Sequence, residues 1–193
     1  HQDGDGFLWI GSYDGLIRFD GTRFTVYNKN NTPELTSFHA RTLGGDRDGN
    51  LWIGTGFGLV KHYKGKFTNL AGDRYNFFIE SMMVDDENQL IWIGTRNSGL
   101  FVYDIVKNTY KPIVTKFSKD LINSIVRDSN GGIWVGSEKN GLGYFKNETW
   151  QYYGREDGLL NTEITSLYLD PVEGFTVGTT SGMYLLQGSG FKS

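Results

Sequence analysis

The stretch DRDGNLWIGTGFGL at residues 46–59 decides the fold, because versions of it recur along the whole chain. Its centre is a cluster of an aromatic residue, an aliphatic residue, Gly and Ser or Thr. Copies of this cluster begin at residues 9, 52, 92, 134 and 176, which lie 43, 40, 42 and 42 residues apart; the last is a weaker copy with Thr in the aromatic place. Self-similarity at such a period is typical of repeat architectures. We therefore expect function on a surface that several units build together.

Each unit also carries an Asp six residues before its cluster. We interpret this Asp as the cap of its own turn, because Asp side chains accept hydrogen bonds from nearby backbone N–H groups. A calcium loop fits less well, since Leu51 and Phe57 stand where an EF-hand needs Gly and Glu. The five residues at this position are Asp3, Asp46, Asp86, Asp128 and Asp170.

Each unit divides into four short β-type runs. The first precedes the Asp turn, the second is the Trp cluster, the third follows a Gly-Leu pair and the fourth is rich in aromatic residues. Short runs separated by frequent turn signals predict strands, and we find no convincing helix. Four antiparallel strands per unit of about 40–45 residues are typical of a β-propeller blade. The sequence thus predicts an all-β fold, a β-propeller of four-stranded antiparallel blades whose Trp, Ile and Leu residues fill the space between blades.

The number of strands predicts an incomplete ring of about four and a half blades. The first unit begins after its first strand would have ended, and the last reaches Phe191 where its fourth strand should begin. We expect one partial propeller over residues 1–193, with blade units at about 1–37, 38–77, 78–121, 122–163 and 164–193. It would be a fragment of a larger, for example seven-bladed, propeller, completed by further blades or by self-association. Thr176 replaces the fifth Trp, so that blade is either degenerate or shifted in register by one residue.

Composition excludes several functions. The net charge is −3, and Lys and Arg are scattered, so this segment offers no footprint for nucleic acid. No apolar run is long enough to span a bilayer, and no amphipathic pattern predicts membrane contact. The chain has no Cys, and its three His residues lack the spacing of a metal site. No nucleophile, phosphate-loop or dinucleotide motif is present, so we expect no metal, no cofactor and no catalytic residue in this segment.

The repeat resembles that of the two-component regulator propeller family, in the order Asp, turn, Trp-Ile-Gly-Thr, Gly-Leu, aromatic. Residues 154–164, GREDGLLNTEI, are similar to that family's linker between blades. The resemblance implies a periplasmic or otherwise extracytoplasmic sensor region of a membrane-anchored bacterial protein. It further implies that the full-length protein carries a C-terminal histidine kinase, hybrid kinase or diguanylate cyclase, and that glycans or their breakdown products are sensed.

Ligand-binding residues are expected in the loops between the fourth strand and the next first strand, and between the second and third strands. These loops vary most between units and mix charged, amide and aromatic side chains. Polar residues five positions before the Asp, namely Arg41, Ser81, Asn123 and Thr165, are expected to face the central channel. The candidate ligand-binding residues are His39, Arg41, Arg74, Tyr75, Arg96, Asn97, Asn123, Glu138, Lys139, Arg155 and Thr165.

Three functions remain open at this point. The leading one is a module that binds a carbohydrate or another polar small molecule for signal transduction. The second is a structural or protein-interaction propeller, in which loop variation serves a partner protein. The third, a lyase or hydrolase built on the channel, has only the polar channel positions and loop acids such as Glu156 and Asp157 in its favour.

Overall fold

The computed structural model describes residues 1–72, 74–170, 174–188 and 190–192, and within them nineteen strands form five antiparallel sheets. The first sheet consists of β1 (Leu8–Ser12), β2 (Gly15–Phe19) and β3 (Phe24–Tyr27). The second consists of β4 (Ala40–Gly45), β5 (Leu51–Thr55), β6 (Gly58–Tyr63) and β7 (Lys66–Asn69). The third consists of β8 (Ile79–Asp85), β9 (Leu90–Thr95), β10 (Leu100–Asp104) and β11 (Thr109–Pro112). The fourth consists of β12 (Ile122–Arg127), β13 (Ile133–Ser137), β14 (Leu142–Lys146) and β15 (Thr149–Tyr153). The fifth consists of β16 (Ile164–Asp170), β17 (Gly174–Thr179), β18 (Gly182–Gln187) and β19 (Gly190–Lys192).

Every sheet is a meander in which each strand pairs with its sequence neighbours. The predicted all-β propeller of four-stranded antiparallel blades is confirmed in four sheets, and the first sheet has three strands, as expected. A bridge between Gln2 and Leu8 adds the beginning of a further ladder there. The fifth blade is more complete than expected, because β19 pairs with β18. The helical structure in the described residues is one 3-10 turn at Arg155–Asp157.

The blades are held together by four apolar clusters, one at each boundary. One face of a blade contributes the Trp and the Leu that follows the Gly, and the facing blade contributes β-branched residues. At the second boundary Trp52 and Leu59 pack against Ile79, Ile91 and Ile93. Trp52 is only 1% exposed, so side chains at this boundary are buried to the same extent as in a domain core. The predicted role of the Trp and Ile residues between blades is confirmed.

The Gly of each cluster sets how closely two blades approach. A Cβ added at Gly54 would lie 2.6 Å from Cγ2 of Ile79, the first residue of the next blade's first strand. The equivalent atom at Gly136 would lie 2.4 Å from Cγ2 of Ile164. Only a residue without a side chain permits this contact, which explains why Gly recurs here.

The Asp turn is tied to the Trp by a hydrogen bond that crosses the hairpin. In the second blade, Oδ1 of Asp46 accepts from the backbone N–H groups of Asp48 (3.1 Å) and Asn50 (2.8 Å). Its Oδ2 accepts from Nε1 of Trp52 at 2.8 Å. The first blade repeats this bond between Asp3 and its Trp at 2.6 Å. One carboxylate therefore caps the turn and orients the buried indole.

The third blade contradicts the assignment of Asp86 as the cap of its own turn. Asp85 takes that place, because its carboxylate accepts from the backbone N–H and the side-chain amide of Asn88. Asp86 instead accepts from the backbone N–H of Arg47 in the second blade, at 3.2 Å. The hairpin of this blade contains one more residue between cap and Trp, and Nε1 of Trp92 is buried without a hydrogen-bond partner.

The fourth blade keeps the capping Asp but gives it a different side-chain partner. Oδ1 of Asp128 accepts from two backbone N–H groups of its turn, and Oδ2 accepts from the hydroxyl of Tyr144 at 2.7 Å. Burial and this hydrogen bond raise the pKa of Tyr144 to about 12. The hydroxyl thus stays protonated and remains a donor at neutral pH.

The fifth blade is degenerate but not shifted in register. Thr176 pairs with Tyr168 and Leu185, which are the register partners expected for a Trp at that position. The adjacent Phe175 points the other way and stacks on Trp134 of the fourth blade, with ring centroids 4.3 Å apart. Only the face directed away from the fourth blade has therefore lost its Trp.

One face of the first blade is apolar and uncovered. Four apolar side chains share this face across the paired strands, and they are between 37% and 62% exposed: Leu8, Ile10, Phe24 and Val26. The residue equivalent to Ile10 in the second blade, Ile53, is fully buried by the blade before it. This is the unburied blade face that an incomplete ring leaves.

The Gly54→Ala substitution tests the close approach of the blades. We expect it to lower the free energy of unfolding by about 1–3 kcal/mol, because the new methyl group overlaps with Ile79 and Thr42. Gly4→Ala is the matched control, since a Cβ there meets no atom within 4 Å. Urea denaturation of the 193-residue chain measures both, and equal effects would contradict the proposed contact.

The Asp86→Asn substitution tests whether Asp86 caps the turn of the third blade, and Asp46→Asn, at an observed cap, is the reference for comparison. Asn at 46 turns an NH₂ group towards donors, so we expect a loss of about 1.5–3 kcal/mol in unfolding free energy. Asn at 86 should change it by less than about 0.5 kcal/mol. Thermal and urea unfolding measure both values. A larger loss for the second substitution would mean that the sequence spacing, not the observed hydrogen bonds, identifies the cap.

Candidate functional site

The first strands of successive blades, β4, β8, β12 and β16, line the centre of the structure and are here called the inner strands. Side chains connect each one directly to the next. The Ser81 hydroxyl donates to the carbonyl of Ile122 at 2.7 Å, and Nδ2 of Asn123 donates to the carbonyl of Ile164 at 2.8 Å. The ends of these strands therefore surround the opening of the central channel.

Each inner strand has a β-bulge at its second residue. In β4, for example, Ala40 pairs with Thr55 and Thr42 with Gly54, so Arg41 is left out of the ladder. A bulge changes the direction of the side chain that it leaves unpaired. The same irregularity occurs in all four inner strands, and the residues left out are Arg41, Glu80, Asn123 and Thr165.

The expectation for Ser81 is therefore wrong. Ser81 pairs with Gly94 inside the ladder, and its hydroxyl donates to the carbonyl of Ile122 in the next blade. Glu80 takes the bulge position instead. The hairpin of the third blade is one residue longer, so the bulge lies six residues before Asp86 and not five.

A backbone hydrogen bond adjoins each bulge. The residue after the second strand donates its N–H to the carbonyl of the residue just before the inner strand, as from Arg96 to Phe78 at 3.0 Å. The other three bonds are 3.0 to 3.2 Å long. Each of the four blades that have an inner strand thus holds three positions of variable chemistry on a constant frame. We call these twelve residues the channel mouth: His39, Arg41, Gly56, Phe78, Glu80, Arg96, Leu121, Asn123, Glu138, Glu163, Thr165 and Thr180.

Charges concentrate at the mouth between the second and third blades. Nε of Arg41 donates to Oε1 of Glu80 at 2.7 Å, and Nη2 of Arg96 donates to Oε2 of the same carboxylate at 3.0 Å. The Glu80 side chain is 5% exposed, whereas those of Arg41 and Arg96 are 44% and 48% exposed. One buried carboxylate therefore holds two guanidinium groups at the surface.

Aromatic rings surround this ion-pair group. The guanidinium of Arg96 lies over the ring of Phe78, 3.9 Å from its centroid. The His39 ring makes edge contacts with two other rings. Its centroid lies 5.1 Å from that of Tyr13 and 5.9 Å from that of Phe78. Nδ1 of His39 is buried without a hydrogen-bond partner. A cleft of about 90 Å³ opens beside these groups and is lined by Gly11, Ser12, Tyr13, His39, Ala40 and Arg41.

Larger clefts lie at the opposite, hairpin ends of the inner strands, but their charges are already paired. A cleft of about 570 Å³ contains Arg127, which bonds to Glu87 and lies 3.7 Å from Asp85. The hydrogen bond to Glu87 raises the pKa of Arg127, and the same bond lowers the pKa of Glu87. These groups stabilise the hairpins, so we do not place the ligand there.

A cleft of about 420 Å³ between the first two blades is also part of the scaffold. It is lined by the capping carboxylates of Asp3 and Asp46, which the Trp and turn bonds already occupy. His62 lies there against Trp9, and burial lowers the pKa of its imidazole.

The structure brings some predicted site residues together and separates others. His39, Arg41 and Arg96 form one group at the channel mouth, and Asn123, Glu138 and Thr165 lie further round it. Tyr75 does not belong to this group, because its ring stacks on that of Tyr110, with centroids 4.4 Å apart. Exposed side chains outside the mouth belong to Arg74, Asn97, Lys139 and Arg155, the last in the 3-10 turn. A binding role for any of these residues stays a prediction.

Glu80 is the site residue that the candidate set lacked. A usable signal was present in the sequence, because an apolar residue directly precedes each bulge. Alignment on these residues, Ala40, Ile79, Ile122 and Ile164, places Glu80 beside Arg41. Alignment on the Asp and Trp positions misses it, since the hairpin between them differs in length.

The described ranges contain neither a candidate metal site nor a candidate membrane helix. No group of three His, Cys, Asp or Glu residues that could hold a metal ion occurs among them. Within the same ranges, no helix has the length and apolar character needed to cross a bilayer.

A family profile described as two component regulator propeller matches residues 116–139, which contain the Asp128 turn and the Trp134 cluster. The chain carries this repeat. The resemblance expected from the sequence is thereby confirmed. A search of curated proteins found no match.

Solved propellers share this fold. The extracellular domain assigned to BT4673 of B. thetaiotaomicron, described in one structure as a one component system, is 25% identical with a TM-score of 0.82. That comparison covers 96% of this chain and 26% of the other. A second structure, described as a hybrid two component system, gives 26% identity, a TM-score of 0.80 and coverage of 94% and 26%.

The extracellular domain assigned to the hybrid two component system BT3049 of the same organism is 23% identical, with a TM-score of 0.80 and coverage of 98% and 26%. At this identity the similarity shows the fold alone. The chain spans about a quarter of the length of these structures.

A double-mutant cycle on Arg41 and Arg96 tests the shared carboxylate. Each single change to Ala should lower the unfolding free energy by less than about 1 kcal/mol, because both guanidinium groups are half exposed. The double variant should lose about 0.5–3 kcal/mol more than the sum, since only then is Glu80 buried without a cation. Urea denaturation measures the cycle, and strictly additive losses would show that the two arginines do not share Glu80.

Proposed function

We propose that this chain is part of the extracytoplasmic, ligand-sensing propeller of a bacterial signal-transduction receptor, and that its channel mouth binds a polar small molecule of saccharide type. The observation that carries the proposal is the mouth itself, where a constant backbone frame holds positions that differ in every blade. The similarity to extracellular domains assigned to one-component or hybrid two-component systems supports the receptor class.

The groups at the mouth have the chemistry that saccharides require. Sugars present apolar ring faces together with directional hydroxyl groups, and aromatic rings beside fixed polar groups complement both. Tyr13 is 74% exposed next to His39, and the half-exposed Arg41 and Arg96 supply donors. A saccharide on this surface would contact the first three blades together.

A ligand in this position has a direct way to act on the assembly. Arg41 belongs to the second blade, whereas Glu80 and Arg96 belong to the third, so a molecule bound to both arginines bridges a blade boundary. Binding would favour one arrangement of blades, or one pairing with a second receptor chain, over another. We place the output, a histidine kinase or diguanylate cyclase, in the membrane-anchored full-length protein.

We propose that the segment itself is not catalytic. The carboxylate at the mouth between the second and third blades, Glu80, accepts hydrogen bonds from two guanidinium groups, which occupy the oxygens that a general base would need. A protein-interaction propeller is the second candidate. The exposed apolar face of the first blade favours it, although a further blade in a longer propeller would cover the same face.

Ligand screening tests the proposal. Isothermal titration calorimetry of the 193-residue chain with neutral and acidic di- to tetrasaccharides should identify a binder, and Tyr13→Ala should weaken it at least about tenfold by removing the exposed ring. Lys111→Ala, which removes an exposed side chain on the outer strand β11, serves as the control. Binding of none of these sugars, together with a clear response to another ligand class, would contradict the saccharide assignment. Turnover of the bound sugar would contradict the non-catalytic assignment.

A further inference from the structure

We propose that the ligand of the channel mouth is an acidic saccharide, whose carboxylate or sulfate group binds in the cleft beside Arg41, with Arg96 adding to the positive charge there. This inference rests on the proposed function and specifies the class of saccharide. It follows from the charges of the mouth, from the hydrogen-bond donors that its arginines leave open, and from the cleft that adjoins Arg41.

The first step is the charge of the ion-pair group. Two guanidinium groups share the single carboxylate of Glu80. Arginine stays protonated at every pH at which proteins are folded. The group therefore keeps an excess of one positive charge at the surface, and an anion is the complementary ligand.

The second step concerns the donors that remain. Arg41 and Arg96 both turn the edge formed by Nε and Nη2 towards Glu80. Nη1 of each makes no hydrogen bond to any residue within the described ranges, and both side chains are about half exposed. A guanidinium group that is fixed along one edge presents its other N–H groups in a rigid direction, which suits a planar carboxylate or a sulfate.

The third step concerns the space beside Arg41. The cleft of about 90 Å³ is lined by Ser12, Tyr13, His39 and Arg41 and by no carboxylate. The cleft is small and partly open to solvent, so a carboxylate or sulfate group is the part of the saccharide that we place in it. The ring would then lie outside the cleft, where Tyr13 is exposed.

The remaining charges of the mouth give the ligand a direction. Glu138 and Glu163 occupy the mouth in the fourth and fifth blades, and the Glu163 carboxylate accepts from the Thr180 hydroxyl at 2.7 Å. The mouth is thus cationic on one side and acidic on the other. An acidic group is repelled from the acidic side, whereas sugar hydroxyls can donate to those carboxylates.

Acidic saccharides compared with neutral ones test the inference, and tri-galacturonate and its methyl ester are the matched pair. Isothermal titration calorimetry of the 193-residue chain would compare tri-galacturonate with its methyl ester, and a chondroitin 4-sulfate tetrasaccharide with maltotriose. We expect an acidic saccharide to bind at least about tenfold more tightly than the neutral ones, and less tightly as salt increases. Sodium sulfate at matched ionic strength reports on free anions, and sulfate binding as tightly as the saccharide would overturn the proposal.

Single substitutions locate the binding. Arg41→Gln and Arg96→Gln should each weaken the acidic saccharide at least about tenfold while Glu80 keeps one cation, and circular dichroism would verify that both variants fold. Arg96→Lys should recover part of the affinity, since it restores the charge but not the planar fork. Arg47→Gln, which removes a cation near the opposite end of the channel, should change nothing.

The other outcomes separate this inference from the proposed function. Equal binding of tri-galacturonate and its ester, weakened by Arg96→Gln, would overturn the acidic class and leave the saccharide site in place. Tight acidic binding that neither Arg41→Gln nor Arg96→Gln affects would overturn the assigned position. Failure of every acidic and neutral sugar to bind would overturn both this inference and the saccharide assignment.

Discussion

The structure depends on one constraint, which is that a four-stranded sheet of this size cannot bury both of its faces by itself. Each blade solves this by covering the next, with Trp and Leu on one side of the boundary and Ile or Val on the other. The Gly of the cluster is part of the same solution, because any side chain at Gly54 would overlap with the next inner strand. The first blade illustrates the constraint, because no described blade covers its apolar face. Ile10 on that face is exposed, whereas the equivalent Ile53 in the second blade is fully buried.

This constraint also explains where the chain is free to vary. The ladder, the capped hairpins and the blade boundaries are held by repeated residues, whereas the bulge at the start of each inner strand lies outside all three. Arg41 and Glu80 occupy equivalent bulges and form an ion pair across a boundary. A repeat fold can thus change the chemistry of its channel mouth without changing the apolar contacts that hold its blades together.

Much of the fold was predictable because its determinants are local or periodic. Strand positions, the Asp turns and the apolar boundaries follow from spacing that the chain repeats five times. The third blade is the exception, where one additional hairpin residue puts the cap at Asp85 instead of Asp86, and puts Glu80 instead of Ser81 at the position equivalent to Arg41. Two adjacent Asp residues satisfy the same pattern, and only the hydrogen bonds of the folded hairpin distinguish them. The same holds for Thr176, whose register depends on which face of β17 meets Trp134.

By itself, the sequence determined that equivalent four-stranded blades follow one another and that the variable loops gather at one end of the ring. Periodic burial is encoded in the order of apolar residues, so it can be read without coordinates. Only the tertiary structure decided that Arg41 and Arg96 meet at one carboxylate and that Tyr75 does not join them. Those residues are separated by tens of positions along the chain, and their distance depends on how closely two blades stack and on where each bulge directs its side chain.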